Sequence, residues 1–423
     1  MRIPFQSSPR SSVGIEWELE IVDPSTRQLA SEATAILEEL GRGHSQGLHP
    51  KAKYELLQCT VEIITGVCQT VHEAKADLAG TLAEVSAAAG RRGLAMMCSG
   101  THPLSDWAAQ KISPDPRYAK LIDDMQWPAR RLQIFGVHVH VGVRGPEKAI
   151  PIVNALTDYI PHFLALSGSS PYWKGRDTGL ASCRSKVFES LPTAGLPYQL
   201  SGWEEFEEFM QTLVSSKTIE SIREVWWDIR PHPNFGTVEL RICDGLPTLR
   251  EVGAMAALSQ CLVDQLSHQL DRGYRLPTPR SWIVRENKWR AARYGLDAQI
   301  ISADSGETRC LRDAIEELVE ELRPVAERLG CLTELHDSRL ILQGGASYER
   351  QRAAAAASGG AMTAVVDSLL QEMRTDTPSD VSDVIDLDSV CGKPGAADRA
   401  STDAAPGAGA SPPIPPAPEA PRA

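Results

Sequence analysis

Three glutamates spaced two apart, Glu16, Glu18 and Glu20, alternate with Ile15, Trp17, Leu19 and Ile21 in the run Val13-Gly-Ile-Glu-Trp-Glu-Leu-Glu-Ile-Val22. Successive side chains of an extended chain point to opposite faces, so as a strand this run has a carboxylate front and an apolar back. The back requires a core to pack against. The front is a row of like charges, tolerable in open water or where cations neutralise it. Oxygen-preferring divalent ions, Mg²⁺ above all, suit such a row. A solvated strand face is the competing reading.

The pattern recurs twice. In Val137-His-Val-His-Val141, His138 and His140 share one face and three valines the other. In Thr237-Val-Glu-Leu-Arg-Ile242, Glu239 and Arg241 share one face. Three strands with ionisable fronts and apolar backs predict one antiparallel sheet, with helices behind it and a polar cleft before it. Core histidines and a simple Glu239–Arg241 ion pair are the plainer alternatives. Glu55 and Glu62 lie in a further apolar segment, 54–65, with opposite parity. Both can line the cleft only across a bend or bulge. Glu62 is the stronger metal candidate, because Val61, Ile63 and Ile64 imply a burial that an unpaired charge does not sustain.

Two other segments carry charge in a notable context. Arg230 follows Trp226-Trp-Asp-Ile229 just before the third strand, and its planar guanidinium can take a carboxylate or phosphate bidentately. A loop closed by buried tryptophans explains the segment equally well. The run Arg285-Glu-Asn-Lys-Trp-Arg-Ala-Ala-Arg293 reads as a basic helix start. It is either a polyphosphate contact or a solvated helix face.

With 423 residues, 42% hydrophobic and 23% charged, the chain reads as an ordinary globular protein with a large core. Strands are expected at 13–22, 54–65, 94–99, 133–143 and 237–244. Helices are expected at 30–40, 70–92, 117–124, 147–167, 203–213, 249–272, 309–329 and 347–373. The fold class is therefore α+β. Nine cysteines stand singly without a Cys-x-x-Cys pair, which argues against a zinc ribbon and for reduced, buried thiols. A net charge of −12 disfavours nucleic acid as a partner. No apolar run approaches membrane-spanning length, and residues 1–11 lack the apolar core of a signal peptide, so no membrane role and a cytoplasmic location are expected. From 375 to 423 the chain is rich in Pro, Ala and Asp and has no aromatic residue, and it is expected to be disordered. The usual phosphate-binding glycine loops are absent.

Taken together, Gly14-Ile-Glu-Trp-Glu-Leu-Glu20, Glu55 with Glu62, Gly136-Val-His-Val-His-Val-Gly142, Trp227-Asp-Ile-Arg-Pro231, Gly236-Thr-Val-Glu-Leu-Arg-Ile-Cys-Asp244 and Arg285-Glu-Asn-Lys-Trp-Arg-Ala resemble the type 2 glutamate–cysteine ligases. These carboxylate–amine ligases belong to the glutamine-synthetase-like group, and the resemblance spans residues 12–374, after a short lead at 1–11. It implies a curved antiparallel sheet flooring an ATP and metal site, with helices packed on the other face. It also implies ATP-dependent joining of glutamate and cysteine, or a related carboxylate and amine, through an acyl phosphate, with release of ADP and phosphate.

Carried onto this chain, the resemblance makes Glu16, Glu18, Glu20, Glu55, Glu62, His138 and Glu239 ligands for two or more Mg²⁺ ions. His138 is the ligand of the histidine pair, and His140 touches phosphate or substrate. Arg241, Arg230 and Glu239 become the catalytic set, and Arg285, Asn287, Lys288 and Arg290 contacts to ATP. A homodimer is left open. Two other readings stand beside this one: a metal-dependent hydrolase built on His138 and His140, and a non-catalytic binder of small carboxylates.

Overall fold

The glutamate run forms β1 (Val13–Asp23), the strand on which the rest of the sheet is assembled. A computed structural model describes residues 2–302 and 305–381. Around β1 lie β2 (Gln28–Leu29), β3 (Ala52–Tyr54), β4 (Thr60–Ile64), β5 (Ala95–Met97), β6 (Val137–Gly142), β7 (Ile229–His232) and β8 (Thr237–Leu240). The sheet order is β7-β8-β6-β1-β4-β3, with β2 and β5 paired to the far end of β1. Every pairing within it is antiparallel. The expected α+β class, an open antiparallel sheet with helices on one face, is the one observed.

The apolar backs merge into one core. Ile15, Trp17, Leu19 and Ile21 pack with Val137, Val139, Val141, Val61, Ile63, Val238 and Leu240, all buried. Trp17 is fully buried, and its indole N–H donates to the carbonyl of Leu246 at 3.1 Å, so even its polar atom is satisfied. Burial of side chains this size contributes about 1.5–3 kcal/mol each. The helices that cover this face include α1 (Val71–Gly90), α3 (Pro146–Leu156) and α5 (Leu249–Asp271). The start of α1 follows from Thr70 and Glu73, which form a reciprocal capping box. At α5, Thr248 accepts from the N–H of Glu251. On the other side, α2 (Pro116–Met125) and the short α4 (Cys183–Phe188) contribute walls to the cleft. A sixth helix, α6 (Ser281–Tyr294), carries the basic run.

Several boundaries differ from expectation. The 54–65 segment is two strands broken at Glu55–Cys59, which supplies the required bend. The 147–167 helix is interrupted by a 3-10 turn at Thr157–Tyr159, and the 347–373 helix by Gly359 and Gly360, both at positive φ. Helices Cys183–Phe188 and Leu332–Gly344 were not expected, since neither carries a clean apolar stripe. Contrary to the sequence reading, one helical run among the described residues, Pro146–Ser167, is long and apolar enough to cross a membrane; its most apolar 18-residue stretch is 83% buried inside the fold, as a core helix would be. Seven cysteines are buried free thiols as expected, whereas Cys310 is disulfide-bonded. Residues 382–423 lie outside the described residues, and with them nearly all of the segment expected to be disordered.

Candidate functional site: two acidic ligand groups on one sheet face

Sheet register brings the ionisable fronts together. Glu18 lies opposite Glu62, and Glu16 opposite His138. Glu239 lies opposite both His140 and Arg230. Glu55 joins them from the break between β3 and β4. The result is two groups of three. In each, one ligand atom per residue lies within 4.8 Å of the others: Glu16 with His138 and Glu239, and Glu18 with Glu55 and Glu62. A cleft of about 640 Å³ opens above them and is lined by Glu16, Glu18, Glu55, Glu62, His138, Arg230 and Arg241.

The first group is electrostatically compensated. Arg230 donates to Glu239 through Nε at 2.7 Å and Nη2 at 3.4 Å, and Arg241 also donates to Glu239. Glu16 lies 3.1 Å from His138 Nδ1 and 3.4 Å from His140 Nε2. Burial alone would raise the pKa of Glu239, yet Arg230, Arg241 and His140 hold it well below the usual carboxylate range. Glu16 is likewise held low against its burial by hydrogen bonds with His138 and His140. Burial and the Arg241 charge lower His138 to about 4, so its imidazole is neutral at pH 7 and competent to ligate a metal. His140 is raised, because Glu239 and Glu16 outweigh its burial.

Among the described residues the second group makes no direct ion pair with an arginine or lysine, and Arg184 and Arg241 act on Glu18 only from farther off. Burial and the Glu55 charge push Glu18 up to about 8, despite a 2.5 Å hydrogen bond from the Gly136 N–H. Burial raises Glu55, and burial together with Glu16, Glu55 and Glu18 raises Glu62 well above its ordinary value. Three crowded acids lacking a close cation are a donor set that fits a hard divalent ion.

Other expected positions fall elsewhere. Glu20 points from the same face of β1 but joins neither group. The turn after β5 closes over it, and its carboxylate accepts from the Ser99 N–H and hydroxyl, both at 2.8 Å. Burial raises it to about 8. His140 lies beneath Glu16 and Glu239 and is not among the residues lining the cleft. Its Nδ1 is 3.0 Å from the Thr237 hydroxyl. The basic run on α6 also departs from expectation, because the helix packs away from the cleft. Lys288 is buried, 2.5 Å from both Asp228 and Glu189. Asn287 bonds the backbone of Ile301, Arg290 bonds Glu286 and the Gln299 carbonyl, and Arg285 is exposed away from the cleft lining. These residues join elements of the fold, and none contacts the cleft.

His232, expected to lie off any strand, sits on β7 with its ring 5.4 Å from that of His140. Even so, among the described residues neither three-ligand group holds more than one histidine, which weakens the two-histidine hydrolase reading. The sequence reading missed Arg184. It lines the cleft from α4, a helix of six residues with no motif to mark it.

Comparison with known proteins bears on the family and the fold. The family model for glutamate-cysteine ligase family 2 matches residues 12–371. A Frankia alni protein provisionally named glutamate–cysteine ligase 2-1 is 64% identical over 378 residues, 89% of this chain and 99% of that protein. A Thermobifida fusca protein provisionally named glutamate–cysteine ligase 2 is 55% identical, over 90% of this chain and 95% of its own length. Among solved structures, the Francisella tularensis glutamate–cysteine ligase in complex with AMP aligns with a TM-score of 0.64 at 14% identity, covering 88% of this chain and 90% of that one. A bifunctional glutathione synthetase from Pasteurella multocida aligns at 0.62 and 14% identity, over 86% of this chain and 52% of that one. The two solved structures share the fold, and the match along residues 12–371 settles the affiliation: the chain belongs to glutamate-cysteine ligase family 2.

Proposed function

We propose that this chain, within residues 12–374, is an ATP-dependent carboxylate–amine ligase. It joins the γ-carboxylate of glutamate to the amine of cysteine, or of a related amine, giving γ-glutamylcysteine, ADP and phosphate. The observation that carries the reading is the pair of three-ligand groups, one holding Glu16 and the other Glu18, adjacent residues on one face of β1.

A carboxylate is a poor electrophile and must be activated before an amine attacks it. Transfer of the γ-phosphoryl group of ATP to a carboxylate oxygen gives an acyl phosphate; attack of the amine on its carbonyl carbon then expels phosphate. Phosphoryl transfer depends chiefly on alignment and charge neutralisation. Mg²⁺ supplies both when bound, by drawing charge from the β- and γ-phosphates. Glu16, His138 and Glu239 would hold one ion, and Glu18, Glu55 and Glu62 another. His138 brings a neutral imidazole to the first. Arg230 and Arg241 fix the Glu239 carboxylate and keep it ionised, while their charge faces the cleft where phosphate oxygens would lie. The cytoplasm is the compartment that supplies ATP to such a reaction.

The test is amino-acid-dependent ADP release by the wild type and by Glu18→Gln, with product mass determined over pairs of carboxylates and amines. Loss of a metal ligand should lower turnover on the order of 100-fold. Undiminished turnover in Glu18→Gln would overturn the assignment of the second group.

A further inference from the structure

Arg184, Arg230 and Arg241 are among the five arginines that line the cleft, and they differ in what their donors meet. Arg230 is fully engaged: Nε and Nη2 bond Glu239, and Nη1 bonds the carbonyls of Val225 and Arg223. Arg241 donates to Glu239 through Nη1, which also lies 3.4 Å from His138, although its buried Nε has no partner. Arg184 differs in having no carboxylate within hydrogen-bond distance. It is 4% exposed, yet its Nε has no partner, and its Nη1 and Nη2 reach only the backbone carbonyls of Ile242 and Arg241 at 3.4 and 3.3 Å.

The nearest carboxylate behind Arg184 is already in use. Asp244 accepts from the Ser169 N–H at 3.1 Å and from the hydroxyls of Ser170 and Ser182 at 2.6 and 2.8 Å, and it stands 4.0 Å from Arg184 Nη1. A buried guanidinium with loose bonds and an idle N–H is costly unless something else completes it. The fold also makes room for it. A Cβ at position 136 would lie 2.3 Å from Arg184 Nη2, so the glycine there permits the close approach. That same Gly136 donates its N–H to Glu18. The loosely bonded donors thus sit beside the second acidic group, against the backbone carbonyl of Arg241.

We propose that Arg184 is the residue that binds the carboxylate to be activated, receiving its oxygens next to Glu18, Glu55 and Glu62. An anionic oxygen in the cleft completes the donors that the protein leaves loose. It also places the nucleophilic carboxylate at the metal group farther from Arg230 and Arg241. The contact deepens the ligase reading and rests on it for the identity of the acid.

The experiment measures L-glutamate binding by calorimetry, with Mg²⁺ and a non-hydrolysable ATP analogue present, for wild type, Arg184→Lys and Arg184→Gln. Thermal melting confirms that each variant is folded. Loss of charge-assisted hydrogen bonds predicts glutamate binding weakened about 10- to 100-fold, more in Arg184→Gln than in Arg184→Lys. Affinity for the nucleotide analogue should stay within about twofold, a separation that a merely structural role would not produce. In turnover, the KM for glutamate should rise more than kcat falls. Unchanged glutamate affinity in a folded Arg184→Gln overturns the proposal, as does wild type that binds no glutamate. Wild type that binds glutamate through Arg184 but releases no ADP would support this contact and sink the ligase reading.

Discussion

Glu16 and Glu18 are two residues apart on one strand face, yet their surroundings have opposite electrostatics. The Glu16 group is neutralised by the protein itself, through Arg230, Arg241 and His140, with a hydrogen bond from His138, and its carboxylates are held ionised. The Glu18 group makes no direct ion pair with an arginine or lysine, the charges of Arg184 and Arg241 act on Glu18 only from farther off, and its carboxylates are driven toward the protonated form. One site is prebuilt for its ligand and the other is completed by it. The metal-free protein should therefore carry its structural strength in the first group and its electrostatic strain in the second.

The sharpest way to break this comparison is Glu239→Gln. It removes the negative charge and one of the two acceptor oxygens that face two arginines buried with it, and breaking such a buried network typically costs about 3–5 kcal/mol. We expect a clear drop in melting temperature together with loss of ADP release. A folded, active Glu239→Gln would show that the first group is not the strong one. Next comes the pH dependence of the metal-free protein. A carboxyl raised in the folded state contributes stability below its unfolded value, here 4.5, and that contribution is lost as pH rises through the folded value, about 8 for Glu18. Stability without Mg²⁺ should thus decline from pH 4.5 to 8, with Glu18→Gln flattening the decline and Mg²⁺ offsetting it. For the first group the sign reverses: Glu16 and Glu239 lend stability above 4.5 that is lost as pH falls through their depressed values. Thermal melts across pH, with and without Mg²⁺, measure both. The smallest effect belongs to Glu20→Gln. Its carboxyl faces Ser99, and an amide oxygen can accept the same two hydrogen bonds. Turnover within about threefold of wild type is expected, with a stability change near 1 kcal/mol or less. A large loss would return Glu20 to the ligand set.

Much of this site was legible because period-two alternation reports which face a side chain takes. Glu16, Glu18, His138, His140, Glu239 and Arg241 were placed on one polar surface by that rule alone, and the bend demanded by the parity of Glu55 and Glu62 is present. What alternation does not report is depth along a strand. Glu20 obeys the same parity as Glu18, but β5 and its following turn cover that end of β1. The basic run on α6 was misread for a related reason. A cluster of Arg and Lys looks alike in sequence whether it meets a polyphosphate or, as Lys288 does, two buried carboxylates.

By itself, then, the sequence determined the strands, their polar and apolar faces, and the residue types available for divalent cations, since these follow from local periodicity and side-chain chemistry. Tertiary structure decided which acids share a group, which are compensated, and which buried arginine is left without a close carboxylate. Those properties depend on strand register and on chain segments far apart in sequence: Arg230 and Glu239 meeting across a hairpin, and Arg184 lodging against Gly136. Electrostatic energy is set by separation in space and by burial, and neither is written in the order of the residues.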